Sequence, residues 1–152
     1  MLKILNGFAT YTGIMTNSAV ASRGVFMNVS DATKDLAEEL KVLEPATGRI
    51  LGVLIQDVTA TGPSYLELDS GIPTNEAKLG EPVAIRKGPG TLVTDNCAGY
   101  GETGDMSTAA KDANLSCNAG QLRVAQGGET VIGRLVGVYD AVAGQYEVVI
   151  FE

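Results

Sequence analysis

VIGRLVGVYDAVAGQYEVVIF, residues 131–151, decides the fold. Val131–Tyr139 and Tyr146–Phe151 are runs of β-branched and aromatic residues, and a short turn at Ala143-Gly144 separates them. Such a pattern predicts two strands joined as a hairpin. Working backwards, Val83 and Ile85 alternate with Ala84 and Arg86, and Tyr65–Leu68 sets Leu66 and Leu68 against Tyr65 and Glu67. Ile50–Val58 is almost continuously apolar, as a strand buried on both faces would be. Between these runs stand Gly62-Pro63, Gly71 to Pro73, Lys87-Gly88-Pro89-Gly90 and Gly127-Gly128, all with turn chemistry. No helical pattern alternates with the strands, which argues against a parallel βαβ sheet. The expectation is a mainly β protein, a small antiparallel barrel or sandwich.

Two features complicate that reading. Gly48-Arg49-Ile50-Leu51-Gly52-Val53 echoes Gly133-Arg134-Leu135-Val136-Gly137-Val138. Glycines four apart in a strand share a face and let a neighbour approach closely, but one matched hexamer is no evidence of duplication. Residues 31–43 carry Leu36, Leu40 and Leu43 at helical spacing, with Ser30 or Asp31 as a cap and Pro45 and Gly48 as stops. One short helix is expected there.

A chain of 152 residues fits a single domain, with or without an arm. It can bury ~70% of its unfolded surface and so needs no metal or disulfide to fold. The net charge is −7, unevenly spread. Residues 1–30 hold Lys3 and Arg23 and no acid, so the other nine basic residues share the rest of the chain with all 18 acids, a net of −9. An acidic body repels phosphates, so nucleic acid is not an expected partner. No stretch approaches the ~20 apolar residues of a membrane-spanning helix. The opening MLKILNGFATYTGIMTNSAVAS is too interrupted by Asn6, Gly7, Thr10, Thr12 and Gly13 to be a secretion signal. The expected setting is soluble and unsecreted.

That same segment is greasy without being periodic. It suits either a first strand followed by a loop, or an extended arm over residues 1–29 beside a body over residues 30–152. In the second case Leu2, Ile4, Leu5, Phe8, Tyr11, Ile14, Met15, Val25 and Phe26 would need cover from another protein, because an exposed apolar patch of that size usually marks an interface.

The chemistry-bearing motifs are few. There is no His, which excludes Ser-His-Asp and Cys-His systems. With only Cys97 and Cys117, and no CxxC spacing, no zinc site is expected. The two thiols either pair as one disulfide or stay free, free thiols being the plainer reading. Asp57, Asp95, Asp105 and Asp140 show no catalytic or metal-binding spacing. Gly99-Tyr100-Gly101-Glu102-Thr103-Gly104 matches GxGxxG, but a poor helical pattern follows it and no acid lies ~20 residues on. It reads better as a glycine-rich loop within the polar, aperiodic stretch 95–119, an exposed tip or a subunit contact. No catalysis and no cofactor are expected.

Pro82-Val83-Ala84-Ile85-Arg86-Lys87-Gly88 resembles the strand-and-turn phrase of small tailed-phage capsid decoration, or cement, proteins. Gln121-Leu122-Arg123-Val124-Ala125, running on through Ile132–Val138 to Tyr146-Glu147-Val148-Val149-Ile150, is similar to that family's closing region. The resemblance covers roughly residues 48–152. It implies a barrel or β-tulip-like body with an extended N-terminal arm. It further implies a homotrimer made in the host cytoplasm that binds major capsid protein subunits on the virion exterior and stabilises the shell. A tail or head-completion component is the alternative, and the family brings no catalytic residues.

Overall fold

The computed structural model describes residues 1–62 and 75–151, with residues 10–14 in backbone only. The fold is mainly β. Among the described residues the strands are β1 (Leu2–Asn17), β2 (Phe26–Val29), β3 (Val42–Pro45), β4 (Gly52–Leu54), β5 (Asp57–Thr59), β6 (Glu76–Lys78), β7 (Pro82–Thr94), β8 (Asn114–Asn118), β9 (Gln121–Val124), β10 (Gly133–Asp140) and β11 (Gln145–Ile150). Nine of them form one sheet in the order β1-β3-β2-β4-β7-β11-β10-β8-β9, and β5 and β6 make a separate parallel pair. Because β1 also pairs with β7, the strands β1, β3, β2, β4 and β7 close into a five-stranded barrel. A ring of five strands cannot be antiparallel throughout, since directions that alternate around an odd ring must clash once. The clash falls between β1 and β3, which run parallel over Thr16–Val42 and Asn17–Leu43.

β1 and β7 are the two long strands, and they serve two cores. The lower part of each lines the barrel, where Met15, Val83 and Ile85 meet Met27, Leu43, Leu54 and Val58. The upper part of β7 leaves β4 and takes β11 as its neighbour, with Ile85 opposite Leu54 and Leu92 opposite Val148. There Leu92, Leu115, Leu122, Ile132, Leu135, Val148 and Ile150 pack with Leu2, Phe8 and Phe26 in a second core.

The changeover explains Lys87-Gly88-Pro89-Gly90, which was expected to separate strands and instead lies inside β7. No ladder partner from β4 or β11 faces Gly88 or Pro89, so the missing N–H of Pro89 costs nothing there. Opposite, β1 makes a bulge in which Gly7 (φ +68°) and Phe8 (φ +44°) are both left-handed. The bulge swings the Phe8 ring inward over Gly90, where any Cβ would overlap it.

Other expectations are corrected. Ile50–Val58 is not one strand: it divides into β4 and β5, which belong to different sheets. The helix over 31–43 is reduced to a 3-10 turn at Glu38–Leu40. Val42 and Leu43 are drawn into the barrel as part of β3, and the remaining eleven residues are too few to hold a helix alone. They fold as successive turns instead, with Thr33 N–H donating to the Ser30 carbonyl and the Val42 amide donating to the Thr33 hydroxyl. The hexamer echo has no structural counterpart. Gly48 is a left-handed turn residue, whereas Gly133 lies in β10 beneath the Val149 carbonyl. The hairpin β10–β11, its 141–144 turn and the turn at Gly127-Gly128 stand as expected. The expected strand Tyr65–Leu68 lies outside the described residues.

Candidate interaction surface

Residues 1–29 are not one extended arm: β1 is extended, the chain turns back through 18–25 into β2, and both strands lie on their own chain. β1 pairs with β7 from Leu2 opposite Thr94 to Thr16 opposite Pro82. Leu2, Phe8, Met15 and Phe26 are buried, Phe26 completely. Ile4 packs half-buried against the upper core and Val25 against the barrel core. Tyr11 stands opposite Ile85 in the ladder, and the side chains of Tyr11 and Ile14 lie outside the described set. Of the expected arm contacts with described side chains, Leu5 alone is exposed, at 40%. An arm over 1–29 separate from a body over 30–152 is therefore corrected: the greasy segment is a stave of the barrel and a flank of the upper core.

A different apolar surface does face solvent. Val138, Tyr139 and Val142, at the tip of the β10–β11 hairpin, are 56%, 50% and 100% exposed. The start of β1 lies beside them. Lys3 Nζ donates to the Tyr139 hydroxyl at 3.3 Å and sits 5.5 Å from that ring's centre. Gln145 Nε2 approaches Met1 Sδ at 3.7 Å, and the Met1 ammonium pairs with Asp95. Met1 and Tyr139 are thus brought to one end of the upper sheet, where Val138 and Val142 are also exposed. The signal for this surface in the sequence was available: Val138-Tyr139 precede a turn and Val142 lies within it, where polar residues are the usual choice.

The sheet's two edges are treated differently. The outer edge of β9 is covered by the 96–104 segment, since Ala98 and Val124 amides donate to Leu122 and Gly104 carbonyls and Leu122 donates to Asn96. Over Leu2–Ala9 no strand among the described residues pairs with the outer edge of β1. Two bulges, at Leu5 and Phe8, break its flatness and blunt it against strand addition. What this end offers a partner is side chains more than backbone.

The stretch 95–119 is ordered by its own groups. Glu102 Oε2 accepts from the Gly99 amide at 2.7 Å, and the Asp105 carboxylate accepts from the Gly101 and Ser107 amides. Ser107, mainly through its hydroxyl, holds the Asp105 carboxyl below its ordinary range. The Gly99 and Gly101 amides of the GxGxxG are thus already engaged by carboxylates, and Met106 and Ala98 anchor the loop in the core.

Cys97 and Cys117 are free and buried. They bracket Leu122, which pairs with Cys117 across β8–β9 and bridges to Cys97 on its other side. Two strand spacings, about 9–10 Å, separate them, beyond the ~7 Å Cα reach of a disulfide. Burial pushes each thiol up to about 12.

Beside them Glu129 accepts from the Gln126 amide, the Ser116 hydroxyl and Arg123, which together lower its carboxyl. Among the described residues no three His, Cys, Asp or Glu gather as a metal site, and no helix is long and apolar enough to cross a membrane. No protein-family model, curated protein or solved structure matches the chain.

Proposed function

We propose that the chain is a non-catalytic structural protein that decorates a tailed-phage capsid, binding major capsid protein subunits on the outer surface as a homotrimer. The observation that carries this reading is the apolar strip of Val138, Tyr139 and Val142 at the hairpin tip, beside Met1, which the chain leaves uncovered although it buries most of its other large apolar residues. Contiguous exposed apolar side chains with polar neighbours are characteristic of protein contacts. Burying such a strip stabilises a complex by about 25 cal/mol per Å², and multiple copies on a repeating lattice compound a modest single-site affinity. The resemblance of residues 48–152 to decoration proteins supplies the partner. The contact assigned at first to an N-terminal arm moves to the hairpin tip, because the arm residues are committed to the fold.

The test is binding to shells assembled from the major capsid protein encoded nearest this chain's gene. Wild-type protein is expected to saturate the shells and raise their resistance to heat, and Val142→Asp with Tyr139→Ala to lose both effects while remaining folded. Saturation by the variant at unchanged affinity would overturn the placement of the contact. Absence of any wild-type binding would overturn the decoration role. A solution mass of six or twelve copies in place of three would favour a tail or head-completion ring.

A further inference from the structure

The 98–104 loop and the ends of β8 and β9 enclose a cleft of about 460 Å³ that the contact described above does not use. Its lining is chemically selective. Glu102, Thr103, Asn118, Gln121 and Arg123 bring one carboxylate, one hydroxyl, two amides and one guanidinium to its walls. Each ligand class meets a different obstacle there. A phosphate would face the Glu102 carboxylate, and the Gly99 and Gly101 amides of the glycine-rich loop already donate to Glu102 and Asp105. A divalent cation would find one carboxylate beside a guanidinium. A purely apolar ligand would find little but polar atoms. A neutral polyhydroxyl ligand meets none of these obstacles, because planar amide, carboxylate and guanidinium groups can each engage adjacent hydroxyls.

The groups needed retain capacity. Gln121 gives Nε2 to the Cys97 carbonyl and keeps its oxygen. Glu102 uses one carboxylate oxygen on Gly99 and keeps the other. Arg123 bonds Glu129 through one terminal nitrogen and keeps the other, while its Nε is buried out of a ligand's reach. Tyr100, next to the cleft's Gly101, is 89% exposed, the most exposed aromatic side chain among the described residues. An aromatic ring held in solvent on a fixed loop is the feature that stacks on the apolar face of a pyranose. The loop is fixed, since its turns are closed by Glu102 and Asp105 and its far end is seated by Met106. Preorganisation of this kind reduces the ordering cost of binding.

We propose that this cleft is a carbohydrate-binding site that takes one neutral hexopyranose unit, with Tyr100 stacking on the ring and Glu102, Asn118, Gln121 and Arg123 engaging its hydroxyls. The site is independent of the capsid contact, so either can fail without the other. The experiment is a titration of the isotope-labelled full chain with the methyl glycosides of glucose, galactose, mannose and N-acetylglucosamine at millimolar concentrations, with inorganic phosphate and ATP in parallel, followed by amide chemical shifts. At least one glycoside is expected to give saturable shifts confined to residues 98–104 and 118–123. Tyr100→Ala, at a solvent-exposed position that leaves the core intact, is expected to weaken that binding about tenfold, and Tyr100→Phe to retain it. Flat titrations with all four glycosides overturn the proposal. So do unchanged affinity in Tyr100→Ala and saturable shifts at the same amides from phosphate or ATP alone.

Discussion

The first 29 residues and the tip of the β10–β11 hairpin are both rich in apolar side chains, and the molecule treats them in opposite ways. Leu2, Phe8, Met15 and Phe26 are buried by their own chain, whereas Val138, Tyr139 and Val142 stand in water. Apolar composition states that a surface requires cover. It does not state which polypeptide supplies it. The charge contrast is equally neutral on the point. A stretch with Lys3 and Arg23 and no acid suits a strand laid against β7 as well as it suits an arm laid on an acidic partner.

The sharpest way to break this comparison is to remove β1. A chain lacking residues 1–23 loses one stave of the barrel and the Leu2 and Phe8 side chains of the upper core. Loss of cooperative unfolding and of dispersed amide signals is expected. A folded truncation would restore the arm. At single positions, Phe26→Ala is expected to cost about 3–5 kcal/mol, measured by denaturant unfolding, and Leu5→Ala less than about 0.5 kcal/mol. Equal costs would show that the buried and exposed members of the segment are not distinguished.

Next in size is the junction that seats Phe8. Gly90→Ala places a methyl group where the Phe8 ring lies, with backbone of β1 behind it. Overpacking of this kind costs about 1–3 kcal/mol. In Phe8→Ala the same change should cost less, because the overlapping ring is gone, though the Asn6 carbonyl, 2.6 Å from the new methyl, still crowds it. The two effects are then non-additive, as expected of residues in contact. Additive costs would mean that Phe8 does not lie over Gly90.

At the hairpin tip the expectation reverses. Val142 is fully exposed, so Val142→Asp should shift unfolding stability by less than about 0.5 kcal/mol while reducing self-association or shell binding. A large loss of stability would place Val142 in a contact within the chain.

These contrasts mark how far the residues could be read. The closing hairpin was legible because its apolar runs and its Gly144 turn agree with each other locally. The β class followed from many such runs with no helical period between them. Barrel closure was not legible as a ring of five, because it depends on β1 meeting β7 some eighty residues away. The helix at 31–43 failed for a related reason: Leu36 and Leu43 have helical spacing, but Leu43 is claimed by the barrel. Lys87–Gly90 misled because glycine and proline also mark bulges and partner changes within long strands. The exposed tip could have been found by asking why valine and tyrosine stand at a turn.

The smallest expected effect concerns the thiols, which sharpen the comparison from the buried side. Burial raises Cys97 and Cys117 to about 12, from an ordinary value near 9. A group whose folded value lies above its unfolded value favours the fold at low pH and loses that contribution as pH rises between the two. Stability should therefore be insensitive to the thiols up to about pH 9 and decline from there towards pH 12. Replacing both cysteines by alanine should remove that part of the decline, beyond the pH-independent cost of the lost side-chain volume. The thiolate is the reactive form, so a disulfide-exchange reagent at pH 8 should label neither residue in the native protein and both after unfolding. Rapid labelling of one thiol in the native state would show that the 96–104 segment opens away from β9, exposing a sheet edge that the molecule otherwise keeps covered.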